Sequence, residues 1–313
     1  MRIFMTGASG YIGSVVAEKA VEQGHTVVGL ARSQASQEKL KKLGVTPLAG
    51  DLESLDLLTR AAAESDAVLH LGFVHEFHRP YSELLAIDKA AIRAMGKGIA
   101  GTGKPLIMTS GTGVTEPDVN GGETNEDSPL TNSPLRERTE AEETALALQG
   151  EGIRPIVMRL APYVYGRGGS VFVPALLKAA AEHGFAFYVG DGAALTSSAD
   201  VDDAALLYLL AAEKASAGSI FNCTTETNIP LRQLGEAIGK AVAVPTKSIS
   251  LDEAGAMVGP FIAKFMEIGN RGSSEKARRV LGWKPQPKLG LLDDLTNGNG
   301  SYREFVAGLH VRN

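Results

Sequence analysis

TGASGYIG, residues 6–13, carries glycines at positions 7, 10 and 13. Before it, Arg2 to Thr6 is short, apolar and bounded by Gly7, as a buried strand is. After it, Ile12, Val15, Val16 and Ala20 recur at helical spacing until Gly24 stops the run. Glycines between a strand and a helix have a physical use: the turn closes tightly, and an anion reaches the backbone. The helix start then offers unpaired N–H groups and a positive dipole end. The spacing G-x-x-G-x-x-G makes Gly7, Ser9, Gly10, Tyr11 and Ile12 candidates to hold a pyrophosphate.

Outward from this stretch the pattern repeats. Strands are predicted over 25–31, 45–48, 67–73, 104–111 and 154–160, with helices over 37–43, 54–64, 82–100 and 134–149 between them. The strands are nearly continuous apolar runs, as in a parallel sheet covered on both faces. Residues 1–165 therefore read as an α/β domain, a Rossmann-type doubly wound parallel sheet. After Gly166 the alternation is less regular. Helices over 171–183, 200–214 and 230–242 and a strand over 218–224 read as a smaller C-terminal α/β substrate lobe, 166–313. This lobe is expected to pack intimately on the first and complete a cleft. The long polar segment 115–133 reads as a loop.

Composition excludes several function classes. The chain has 313 residues, 44% hydrophobic and 21% charged, enough for a sizeable core. Net charge is −5 and no basic stripe stands out, which argues against a nucleic-acid partner. No apolar run reaches membrane-spanning length, and the opening run is broken by Thr6-Gly7, so neither a membrane partner nor a secretory leader is expected. The single cysteine, Cys223, has no internal mate, and a cytoplasmic protein is the expectation.

Taken together, these motifs resemble the short-chain dehydrogenase/reductase superfamily in its extended branch, which includes nucleotide-sugar epimerases, dehydratases and related reductases. TGASGYIG resembles its phosphate loop and Gly50-Asp51-Leu52 its adenine-contacting motif. HLGF (70–73) resembles its fourth-strand motif, and RLAPYVYGRG (159–168) its R-P-x-N-V-Y-G-P-G stretch. Residues 200–213 and 277–285 resemble its C-terminal landmarks. The resemblance implies a nicotinamide dinucleotide beside Asp51, Leu52, Leu71, Gly72, Phe73, Thr109 and Pro162, and a small-molecule substrate. It also implies a homodimer paired through helices 82–100 and 134–149, with Leu135, Ala141, Ala145, Leu146 and Leu148 available for packing, unless that face is buried within one chain. In this fold an acid closing the second strand selects NAD. Here Ala31 holds that position and Arg32-Ser33 follow, groups able to pair with a 2′-phosphate, so NADP is expected over NAD.

The catalytic pair of the superfamily is missing. Its Y-x-x-x-K aligns with Leu135 and Thr139, and no tyrosine in the chain is followed four residues later by lysine. Gly111 holds the place of the catalytic serine or threonine, flanked by Ser110 and Thr112, and Asp88 falls near the helix-four asparagine. Two replacements suggest themselves. Tyr163, with Arg167 four residues on to tune it, is either the proton donor, with Ser110 or Thr112 holding the substrate oxygen, or a cleft-wall aromatic. His75, in FVHEFHRPY (73–81), is the second. His75, Glu76 and His78 lack the two-turn spacing of a zinc helix, so no metal is expected. The resulting expectation is an atypical NADP-dependent oxidoreductase acting on a small or medium carbonyl or alcohol. An epimerase or dehydratase of a sugar-like substrate and a non-catalytic dinucleotide sensor remain the alternatives.

Overall fold

The computed structural model describes residues 1–74, 79–169 and 171–310. The first half alternates strictly: β1 (Arg2–Thr6), α1 (Tyr11–Glu22), β2 (Thr26–Ala31), α2 (Gln34–Lys42), β3 (Thr46–Ala49), α3 (Leu55–Ala63), β4 (Ala67–His70), α4 (Tyr81–Ile99), β5 (Pro105–Gly111), α5 (Thr139–Ala147) and β6 (Arg154–Leu160). Then follow β7 (Tyr163–Tyr165), α6 (Phe172–His183), β8 (Ala186–Val189), β9 (Leu195–Asp200), α7 (Val201–Lys214), β10 (Ser219–Cys223), β11 (Glu226–Pro230), α8 (Leu231–Val242) and β12 (Thr246–Ile249). Five short helices close the chain: α9 (Leu251–Val258), α10 (Pro260–Phe265), α11 (Glu275–Leu281), α12 (Leu291–Thr296) and α13 (Arg303–His310).

Among the described residues the main sheet has seven strands in the order β10-β6-β5-β4-β1-β2-β3, all parallel. The order reverses between β1 and β4, and it is outside such a reversal, at the strands' C-terminal ends, that α/β sheets open a crevice. Buried Val15, Val16 and Ala20 of α1 and Leu207 and Ala211 of α7 cover one face of the sheet. Leu58 of α3, Ile92 and Met95 of α4 and Ala141 and Ala145 of α5 cover the other. A third core joins Tyr163 and Tyr165 of β7 to α6, α8 and α12 through Leu176, Leu177, Leu234 and Leu291. This core belongs to the lobe, which adds the small sheets β11-β9-β7 and β12-β8.

The predicted strand over 67–73 stops at His70, because Leu71 and Gly72 turn back to donate to the Thr6 carbonyl and the Thr6 Oγ1. The predicted helix 134–149 begins as a tight 3-10 turn over Pro134–Arg138, with the Ser133 hydroxyl accepting from the Leu135 N–H, before α5 takes over. The domain boundary at 165/166 needs correction. The predicted strand 218–224, β10, lies beside β6 as the edge of the main sheet, and α7 packs against α1. The lobe is thus threaded through the sheet domain rather than appended to it. Ala141, Ala145 and Leu148, offered for a homodimer, are buried inside the chain at 0%, 0% and 4% exposure, so they are not available to a mate. Among the described residues no helix is long and apolar enough to cross a membrane.

Candidate nucleotide-binding cleft

A cleft of about 540 Å³ runs along the C-terminal edge of the sheet, past the β1/β4 reversal. Of the residues proposed from sequence, Gly7, Ser9, Gly10, Tyr11, Ile12, Arg32, Asp51, Leu52, Leu71, Gly72, Phe73, Thr109 and Pro162 line it. Its floor is the glycine turn. Gly7 sits at φ +69°, and a Cβ there would lie 2.6 Å from the Gly72 nitrogen. Gly10 caps α1 without a side chain, and the first turn of α1 carries no acid. The helix start therefore leaves bare N–H groups for an anion, a cradle that suits a pyrophosphate.

At one end of the cleft, Arg32 stands at the β2–α2 turn, Ser36 in the first turn of α2 and Asp51 just past β3. Ser33, expected beside the cofactor, is instead the N-cap of α2. Its hydroxyl accepts from the Ser36 N–H at 3.2 Å, and Ser36 takes the place at the cleft. The first turn of α2 also lacks an acid, so a second helix start faces this end. Tyr11 is pinned at the other side of the floor, its hydroxyl donating to the Gly166 carbonyl at 2.6 Å.

The proton-donor candidates do not converge on the cleft. Tyr163 is fully buried in the lobe core, where its hydroxyl donates to the Phe265 carbonyl at 3.4 Å and its ring meets Phe172 edge-on. Burial pushes its phenol well above the ordinary tyrosine value. Arg167 is turned away from it, paired with Asp202 and Glu18. The donor role for Tyr163 is corrected accordingly: its side chain is buried and its hydroxyl donates into the lobe core. Thr112 is also spent, donating to Asn270 Oδ1 at 2.7 Å. Ser110 alternates with Thr109 along β5; Thr109 lines the cleft, while the Ser110 hydroxyl is buried with no partner among the described residues. His75, with Glu76 and His78, lies outside the described residues. Among the described residues no group of three or more His, Cys, Asp or Glu is placed to hold a metal.

The structure shows a polar network that sequence patterns missed. The Thr6 Oγ1 lies 2.6 Å from His70 Nδ1, and His70 Nε2 lies 2.9 Å from Asp88 Oδ1. The ring is thus held at both nitrogens, by the Asp88 carboxylate and by the Thr6 hydroxyl. Arg138, from the turn before α5, donates Nη1 to Asp88 Oδ2 at 2.5 Å and Nη2 to the Thr109 carbonyl at 2.6 Å. Its guanidinium stacks 4.9 Å over Phe73. The Thr109 hydroxyl meets Tyr208 at 2.8 Å. A cation is therefore held behind Phe73 and Thr109 of the cleft lining, one position before Thr139, where the superfamily's lysine was expected. Thr139 itself turns back to the Arg136 carbonyl.

The model of the NAD dependent epimerase/dehydratase family matches residues 3–224. Relatives include an uncharacterized protein of Schizosaccharomyces pombe, 40% identical over 95% of this chain and 99% of that one. A 2-alkyl-3-oxoalkanoate reductase of Stenotrophomonas maltophilia is 27% identical over 92% of this chain and 96% of its own length. Among solved structures, a UDP-glucose 4-epimerase of Thermotoga maritima shares the fold at a TM-score of 0.76 and 21% identity, covering 99% of this chain and 100% of that one. With the family model spanning the glycine turn, the sheet and the crossover to β10, the chain belongs to the NAD dependent epimerase/dehydratase family of dinucleotide-binding enzymes.

Proposed function

We propose that the protein is an NADP-dependent oxidoreductase that reduces an apolar ketone. The distribution of charge along the cleft carries this reading. Among the described lining residues, the charged groups are Arg32 and Asp51, both at the adenosine end. The far end is walled by Phe73, Val74, Val164, Val171 and Phe172. Behind Phe172 stand Phe261 and Phe265, with ring centroids 5.9 and 5.2 Å away. A nucleotide-sugar substrate would bring a second diphosphate to that end, and an anion there needs cationic or N–H partners. An alkyl chain needs only the apolar wall it finds. The reductase relative, named for a 2-alkyl-3-oxoalkanoate, supports the same choice. A bound nicotinamide supplies hydride transfer, and the protein supplies orientation, water exclusion and a proton.

Turnover of NADPH, followed by its absorbance, against alkyl ketones and 3-oxoacyl compounds tests the proposal. Stoichiometric consumption of the nucleotide supports it. Conversion of a sugar nucleotide without net consumption would replace it with the epimerase reading, and binding without turnover with the sensor reading. For the nucleotide itself, Arg32→Ala is expected to weaken NADPH by about 1.5–3 kcal/mol, the worth of a charge-assisted contact, while leaving NADH unchanged. Titration of both nucleotides checks this, and equal wild-type affinities would remove the preference.

A further inference from the structure

Three phenylalanine rings form a stair at the apolar end of the cleft. Phe172, at the start of α6, lines the cleft. Phe261 and Phe265 stand four residues apart on α10, so their rings share one face of that helix. They meet the Phe172 ring at 5.9 and 5.2 Å and each other at 5.3 Å. Lys264, the charged residue of α10, pairs with Glu267 at 2.7 Å.

Burial falls from the inner step to the outer one. Phe265 is 8% exposed, and its ring closes on Gly113 together with Leu135, which holds the place of the superfamily's tyrosine. A Cβ on Gly113 would lie 3.1 Å from Phe265 Cε1 and 3.3 Å from Leu135 Cδ1. The inner step is therefore apolar just past the end of β5. Phe261, the outer step, is 47% exposed. Val171, next to Phe172 and itself part of the cleft lining, is 57% exposed. Apolar surface in water is unfavourable, and a strip of it that continues a cleft wall marks a place for an apolar ligand.

We propose that the substrate of this site carries a long alkyl chain that leaves the cleft over Phe172 and lies on Val171 and Phe261, with Phe261 as the residue that sets chain-length preference. The inference rests on the ketone-reductase reading for the reacting carbonyl, but the seating of the chain does not depend on turnover. Continuity with the cleft wall identifies the occupant. A short ketone ends at Phe172 and leaves the outer step wet, whereas each further methylene on the strip removes apolar surface of both partners from water. The expected gain is about twofold to fourfold in affinity per methylene. The upper figure is that of a fully buried CH₂, about 0.8 kcal/mol at 1.36 kcal/mol per tenfold.

The test separates binding from chemistry in the full chain. Straight-chain primary amides, from butanamide to decanamide, present a carbonyl that a nicotinamide does not reduce. Their affinity for the NADPH-loaded protein is measured by calorimetry. In wild type it should rise with every added methylene. In Phe261→Ser the rise should level off early, lowering the ratio of longest to shortest amide by about tenfold or more, less than two fully buried methylenes contribute. Phe261→Leu, which keeps an apolar side chain, should recover most of the slope. Val171→Asp tests the other side of the strip at an exposed position and should also penalise the long amides. Val280→Ser removes a 50% exposed apolar residue on α11 and should follow wild type. A flat series in wild type, or the same slope in Phe261→Ser as in wild type, would overturn the proposal. Methyl ketones of the same lengths are then assayed for NADPH consumption. If the amide slope is present but no ketone is reduced, the reductase reading fails and the seat of the alkyl chain stands. If ketones are reduced at rates indifferent to chain length and the amide series is flat, the reductase reading stands and this inference falls.

Discussion

Asp88→Ala is expected to destabilise the protein by about 3–5 kcal/mol, the cost of removing one partner from a buried ion pair. Asp88 is 1% exposed and accepts from two cationic or polar groups at once, His70 at 2.9 Å and Arg138 at 2.5 Å. Alanine would leave the Arg138 guanidinium, 15% exposed, without its carboxylate partner, and leave His70 Nε2 without the Asp88 acceptor. Urea unfolding with an unchanged denaturant slope is the measurement. A loss under about 1 kcal/mol would mean that water or a shifted side chain replaces the carboxylate. The same residue sets a pH dependence. Desolvation alone would raise the Asp88 carboxyl, but Arg138 and the His70 hydrogen bond outweigh it and hold the group below 3.8 in the folded chain. The unfolded chain therefore binds this proton first. The stabilisation is fully present above about pH 5 and is lost as pH falls through the folded value, below 4. The stability gap between wild type and Asp88→Ala should narrow on acidification.

That network explains which parts of the site were legible. The strands and the glycine turn were readable because a parallel strand buried on both faces is an apolar run, and because few residues but glycine fit φ +69° against a neighbouring backbone. The cleft residue Arg32 followed from its place after β2, and Asp51 and Phe73 from the resemblance of their motifs to the family. Thr6, His70, Asp88 and Arg138 come from β1, β4, α4 and the turn before α5, and no spacing along the chain joins them. Tyr163 and Arg167 show the opposite error. Four residues apart, side chains meet on a helix. Here they lie on a strand and a turn with Arg167 at φ +53°, so the arginine points to Glu18 and Asp202 while the tyrosine enters the lobe core. The main-sheet place of β10 was hidden for a similar reason: strand order is a tertiary property, and a strand arriving after a lobe reads like part of that lobe.

Gly13→Ala is expected to cost at least about 100-fold in NADPH affinity, equivalent to the loss of one or two charge-assisted hydrogen bonds at about 1.5–3 kcal/mol each. A Cβ on Gly13 would collide with the Gly7 carbonyl oxygen, and would lie 2.8 Å from the Gly7 carbonyl carbon and 3.1 Å from Ala8 Cα. All three are backbone atoms, so no rotamer change relieves the clash. Gly7 cannot retreat, because its own Cα faces Leu71 and Gly72 at the end of β4. α1 must therefore lift away from the turn, carrying with it the N–H groups that face the cleft. Overpacking of this kind costs about 1–3 kcal/mol of stability, so the variant should still fold, with a lowered melting temperature. Gly10→Ala is the internal comparison. Its Cβ meets only the Gly7 oxygen, at 3.1 Å, a contact that a few tenths of an ångström relieve, so its affinity loss should be smaller. Calorimetric titration of both variants with NADPH decides the matter. If Gly13→Ala binds as tightly as Gly10→Ala, the close approach of α1 to the turn does not set the geometry of the phosphate cradle, and the affinity must come instead from the Arg32 end of the cleft.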